Sequence, residues 1–157
     1  MAKGPFMEYL RATAIQASPN AFGETQMPTP TSKTENMAML IHSIEMMLLR
    51  YVDTTPTDTD TVSCHVSSQS QTSIRKIDEP ETLASFLAVT HINAVYHDTE
   101  KHGQLNLKFD PPILYPKANL YLAISSSGHT TGQYVKCRIG YTLEKVSRED
   151  FISALVE

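Results

Sequence analysis

"MAMLIHSIEMMLLRY", Met37–Tyr51, is the stretch whose reading decides whether this chain is all-β or mixed. Its apolar residues at 37, 40, 41, 44, 47, 48 and 51 fit one stripe of an α-helix, and Ser32 with Glu35 just upstream has capping-box spacing. The same residues also read as a strand, with Leu40, Ile44, Met46 and Leu48 on one face and His42 out of place. Periodicity leans to the helix and the neighbouring segments lean to the strand, so both readings stay open here.

Outward from that stretch the chain is a series of short segments cut by turn residues. Glu8–Ala17 alternates and is stopped by "SPN" and "FG", which reads as a strand. Thr25–Ser32 carries Pro28 and Pro30, which remove backbone donors and suit an edge or a crossover. Asp53–Asp60, "DTTPTDTD", has no apolar pattern and reads as an exposed loop. Beyond it, Val62, Cys64 and Val66 share one face of a strand, "LAVTHINAVYH" is another, and "QLNLKF" puts Leu105, Leu107 and Phe109 together. Asn119–Ser125 and Gln133–Leu143 read as a hairpin around "SSSGHTTG". Two helices are expected: "EPETLASFL" after Pro80, bringing Leu83, Phe86 and Leu87 together, and "SREDFISALVE", where Ser147 and Asp150 have capping spacing. About eight strands at ten-residue intervals predict an all-β antiparallel sandwich with one or two short helices, in a single domain over 1–157. Residues 1–6 would be an extended N-terminal segment and 147–157 a C-terminal helix.

Composition narrows the function. A chain of 157 residues with 41% hydrophobic and 19% charged residues can supply one core. Its formal charge is −4, and the first 40 residues balance Lys3, Arg11 and Lys33 against Glu8, Glu24 and Glu35. There is no basic arm for nucleic acid, so any such contact would have to come from a local patch assembled by the fold. Cys64 and Cys137 sit inside alternating apolar segments, where free thiols behave as small buried hydrophobes. "MAKGPFMEYLRATAIQ" lacks the apolar core of a secretory signal, and no run is long enough for a membrane span.

"FDPPILYPKANLYLAISSSG" and "VKCRIGYTLEKVSREDFISAL" together have a proline-led crossover, a strand, a small-residue loop and a long final strand. With "ENMAMLIHSIEMMLL" as an early core strand and "TDTVSCHVSSQS" as the next, Met7–Leu143 resembles the single-jelly-roll capsid subunits of tailless viruses. The resemblance implies a structural subunit that assembles with copies of itself, and with other virion proteins, into a closed shell. It also implies a location in the virion after synthesis in a host cytoplasm. The chain departs from many small RNA virus coat proteins in lacking an Arg/Lys-rich arm.

Catalytic chemistry finds little support. His97, Asp98, Glu100 and His102 cluster in "YHDTEKHG" and could suit a cupin-like metal site, but their spacing is not a cupin's and a solvated loop explains them. His42 reads as partly buried, and His65 and His91 as outward-pointing strand residues. Ser125–Ser127 before Gly128 and His129 read as a flexible turn, and no nucleotide-binding or nucleophile-elbow motif is present. The sequence therefore predicts no enzyme, no cofactor and no metal. Contact with partners falls instead to Tyr115, Tyr121, Tyr134, Tyr141 and Phe6, with alternation making one face of the late hairpin aromatic. The seven methionines would fill irregular core or interface space. The other reading of the same tyrosines is a lectin-like or receptor-binding sandwich, such as a virion decoration or spike protein.

Overall fold

The structure, a computed structural model, describes residues 6–49, 60–76, 78–92, 97–98, 104–129 and 132–156. Its elements in chain order are β1 (Glu8–Ile15), β2 (Gly23–Pro28), β3 (Met37–Leu49), β4 (Asp60–Ser67), β5 (Thr82–Ile92), β6 (His97–Asp98), β7 (Gln104–Tyr115), β8 (Asn119–Ser127), β9 (Tyr134–Lys145) and α1 (Arg148–Val156). Two antiparallel sheets form, one ordered β1-β9-β3-β7 and the other β2-β8-β4-β5-β6. Apart from the steps β4 to β5 and β5 to β6, each strand passes to the opposite sheet from the one before it. That alternation makes the sandwich a jelly roll.

Met37–Leu49 is a strand, not a helix, and the reason it imitates a helix is local. Against β9, Ile41 pairs with Tyr141 and Ser43 with the adjacent Gly140, so His42 is an inserted bulge residue; against β7 the register also shifts here, but the extra residues are β7's own, between Lys108 and Ile113. Met39 and Ile41 point into the core before the bulge, and Ile44, Met46 and Leu48 after it. The three-residue step from Ile41 to Ile44 is what a helical period would give. Leu40 is therefore not on the core face with Ile44, as the uninterrupted strand reading had it; it faces outward and is half-buried. The displaced His42 ring bonds through Nε2 to Thr142 Oγ1 at 2.9 Å.

The core lies between the sheets. Met39, Ile41, Ile44 and Met46 of β3 and Ile139 of β9 meet Val62, Val66, Leu120, Leu122 and Ile124 of the second sheet, all essentially without solvent contact. Burying such a side chain contributes about 1.5–3 kcal/mol. The predicted helix over Pro80–Leu87 is also a strand: Ala84, Phe86 and Ala88 alternate inward opposite Val66, Cys64 and Val62, while Leu87 points to solvent. Strand pairing overrides the helical spacing of Leu83, Phe86 and Leu87, since β5 must cover one flank of β4. The expected hairpin of β8 and β9 does not form either. These strands lie in opposite sheets, so the loop between them crosses the sandwich.

The edges are handled separately. Thr25 Oγ1 of β2 donates to Thr13 O of β1 at 2.9 Å, fastening one sheet's edge to the other. Ser147 N-caps helix α1, with Asp150 N donating to Ser147 Oγ at 3.1 Å and the Ser147 hydroxyl donating to the Asp150 carboxylate at 2.6 Å. Phe151 is its buried anchor.

Candidate functional site

Alternation along four strands builds a charged surface on the outward side of the first sheet. Leu10, Ala12 and Ala14 of β1 face the core, which leaves Tyr9, Arg11, Thr13 and Ile15 outside. The same rule puts Tyr134, Lys136 and Arg138 of β9, Glu45 and Met47 of β3, and Gln104, Asn106 and Lys108 of β7 on that side. Register then fixes their neighbours. One row across the sheet reads Arg11, Arg138, Glu45, Asn106, and the next reads Thr13, Lys136, Met47, Gln104. An open groove of about 830 Å³ lies over these two rows.

Two features of the rows stand out electrostatically. Arg11 and Arg138 are direct cross-strand partners, an arrangement of like charges that costs stability in an antiparallel pair. Arg138 pairs with Glu45 at 2.5 Å, and its guanidinium lies 4.9 Å from the Tyr9 ring centroid, with that of Arg11 5.6 Å from the same ring. Residue 140 beside Tyr9 is glycine, and a Cβ there would meet the Ser43 hydroxyl at 2.5 Å and the Tyr9 ring at 3.3 Å. Below the groove, burial and then the Glu45 charge push the Cys137 thiol up to about 12, so it stays protonated. Burial raises Cys64 further, and both cysteines are free.

The second sheet carries a different device on its outer side. His65 does project away from the core, opposite Cys64 and Val66, yet it is fully buried, because the β4–β5 connection folds across it. Its Nδ1 accepts the Arg75 N–H at 3.0 Å, and Phe22 packs 6.3 Å from the ring. Glu24 of β2 holds the same connection, accepting from Ser70 Oγ at 2.5 Å and from Gln71 N at 2.8 Å. Burial lowers the His65 pKa and Arg75 adds to this, against the carboxylates of Glu24, Glu79 and Glu81.

At one end of the sandwich a polar network ties the β1–β2 turn to the β8–β9 connection. Gln16 Oε1 accepts from Gln133 N at 2.8 Å and Asn20 Oδ1 from His129 N at 3.0 Å. Ser126 Oγ accepts from Gln16 Nε2 at 2.9 Å and directs its single proton to Asn20 Oδ1 at 3.1 Å. Ser125–Ser127 are thus the last residues of β8 rather than a loop, and the turn begins at Gly128 with φ 82°. The Ser126 hydroxyl serves amides, not a histidine ring.

The tyrosines do not share one surface. Tyr115 is buried and its hydroxyl donates to Asn119 O at 2.5 Å; Tyr141 is buried and its hydroxyl donates to Glu8 Oε2 at 2.9 Å. Both side chains are thereby committed within the subunit. Tyr121 and Tyr134 are half-buried on the outer sides of opposite sheets. Phe6 is 75% exposed, ahead of β1. Of the proposed metal cluster, Glu100 and His102 lie outside the described residues, as do Met1–Pro5 of the N-terminal segment and most of Asp53–Asp60. Among the described residues no group of metal-ligating side chains gathers, and no described helix is long and apolar enough to cross a membrane.

No protein-family model and no curated protein matches this sequence. Solved structures do match by shape. A chain from the X-ray structure of tomato aspermy virus is 9% identical with a TM-score of 0.50, over 87% of this chain and 77% of that one. A chain of the unassembled VP1 pentamer of Washington University polyomavirus is 8% identical with a TM-score of 0.46, over 93% and 97%. At 9% identity, what the tomato aspermy virus chain shares with this one is the fold alone. The two-sheet strand order and the likeness to the tomato aspermy virus chain agree that this protein is an all-β jelly-roll sandwich.

Proposed function

We propose that the protein is a structural subunit that assembles with copies of itself into a closed shell, in the manner of a viral capsid protein, and acts in the virion rather than as an enzyme. The observation that carries this reading is the placement of its exposed apolar side chains. Besides Tyr9, Ile15 and Met47 on the outer side of the first sheet, three groups are exposed: Phe6 and Met7 lead into the edge strand β1, Leu87 stands on the outer side of β5, and Ile152 and Val156 lie one turn apart on α1. A subunit that closes a symmetric assembly meets neighbours through more than one patch, and these three sites lie on separate elements. Each contact would be modest alone, and repetition around the shell would make the assembly stable. The likeness to a chain of a virus structure supports the scaffold, and other virion proteins are the natural further partners.

Size-exclusion chromatography with light scattering and negative-stain imaging tests the proposal. Large regular particles, disrupted by Phe6→Asp or Ile152→Asp, are expected. A strictly monomeric protein across salt and concentration would overturn it and favour a receptor- or glycan-binding module.

A further inference from the structure

We propose that the outer face of the β1-β9-β3-β7 sheet binds single-stranded nucleic acid through its phosphates. The chain as a whole is acidic, at −4, yet this face gathers Arg11, Lys136 and Arg138 around the groove with Lys108 one row away, against Glu45 alone. Of the other exposed carboxylates of these strands, Asp110 and Glu144 sit at and beyond the bulge in β3, and Glu8, on the opposite side of β1 from Arg11 by alternation, accepts from the Tyr141 hydroxyl. A local positive field in an acidic subunit is the complement of a polyanion.

Three further observations point to phosphates. Arg11 and Arg138 are held directly opposite each other at a cost to the fold, which an anion seated between them would offset. Around them stand Thr13, Gln104 and Asn106, neutral donors of the kind that fix a sugar–phosphate chain once it is held by charge. Tyr9 is 43% exposed with both guanidinium groups over its ring, so an aromatic side chain of the kind that accompanies cations in single-strand sites stands directly beside them. The groove runs open along the sheet, as a strand of any sequence requires, and its contacts are to backbone and ring faces. Binding would be independent of base sequence and sensitive to salt.

The inference stands on a single subunit and does not require a shell. It is tested by fluorescence anisotropy with a labelled 20-nucleotide oligo-dT and the matching oligo-U, over a salt series, with light scattering on the same samples. Arg138 is already paired with Glu45, so about three phosphates should be neutralised, which gives a slope of log K against log salt of roughly −2. Arg11→Gln and Lys136→Gln should each flatten that slope by roughly 0.7, while Lys76→Gln on the opposite side leaves it unchanged. Arg11→Gln should also hold or raise the melting temperature, because it removes the like-charge pair; a purely structural arginine would lower it. Absence of binding at low salt, or slopes unaltered in both variants, overturns the proposal. So does polyglutamate that competes as well as the oligonucleotide at equal charge, which would assign the face to an acidic protein. Particles without oligonucleotide binding would refute this inference alone, and binding by single subunits would leave it standing without the shell.

Discussion

Acidification should weaken the protein through His65, and the size of the effect can be bounded. The ring is fully buried, and its Nδ1 accepts the Arg75 N–H at 3.0 Å, which leaves the single proton of the neutral form on Nε2, where no hydrogen-bond partner is found among the described residues. A second proton would turn Nδ1 into a donor aimed at a donor. Burial is the main cause that lowers this pKa, and the positive charge of Arg75 works in the same direction; Glu24, Glu79 and Glu81 oppose it without prevailing. The folded state then binds fewer protons than the unfolded chain at mildly acid pH, so stability must fall as pH drops through the unfolded histidine value of about 6.5. One proton sets the ceiling: about 1.4 kcal/mol per pH unit, and about 2 kcal/mol in total by pH 5. Urea unfolding between pH 7.5 and 5 should show this slope in the native protein. His65→Asn, which keeps an acceptor near Nδ1 but cannot titrate, should lose it whatever its overall stability. Exchange of the Arg75 amide should quicken in step with the loss, since that bond is the one broken. Equal pH slopes in the two proteins would refute the reasoning.

Other consequences follow from single positions. Ile44→Ala should cost about 2–4 kcal/mol by opening a cavity in the core, whereas Leu40→Ala, on the outer side of the same strand, should cost well under that in denaturant titrations; equal losses would contradict the bulge at His42. Gly23→Ala places a Cβ 2.5 Å from the Ile15 carbonyl oxygen, a backbone atom that cannot turn aside, and should lower stability by about 1–3 kcal/mol in thermal melts. With Cys137 raised to about 12 and Cys64 higher still, neither thiol should react with an aromatic disulfide reagent at pH 8 until the protein unfolds. Ready labelling of the native protein would mean that the sandwich opens at β4 or β9. Ser147→Ala removes the cap of α1 and should cost roughly 1 kcal/mol, read as faster amide exchange around Phe151.

The sandwich was legible in the sequence wherever a strand keeps one parity from end to end. Val62, Cys64 and Val66 in β4, and Leu105, Leu107 and Phe109 in β7, alternate without interruption, and both segments are strands with those residues turned inward. The reading failed where an element borrows another's period. In β3 a single inserted residue converts a two-residue repeat into a three-residue step, and in β5 the inward set is Ala84, Phe86 and Ala88, small and mixed enough that Leu83 and Leu87 outweighed it. The bulge leaves one signal in the sequence: a histidine at the point where the apolar parity changes. The partition of strands between sheets left none, because β8 and β9 carry equally good hairpin alternation whether they pair or part.

The surface was hidden for a different reason. Arg11, Lys108, Lys136 and Arg138 come from three strands spread over most of the chain, and in sequence only Lys136 and Arg138 stand close together. Composition averages them into a net charge of −4, which describes the far field of the subunit and not one of its faces. Register does what composition cannot. Pairing Arg11 with Arg138 through β1 and β9, and bringing β3 and β7 alongside, concentrates the cations on one side. The tyrosines moved the opposite way, from a cluster in the last third of the sequence to two buried hydroxyls and two rings on opposite sides. In an alternating sandwich, closeness along the chain says little about a shared surface, since neighbours in sequence face apart and successive strands change sheets. A candidate site on this fold is therefore found by reading across strands, one register row at a time.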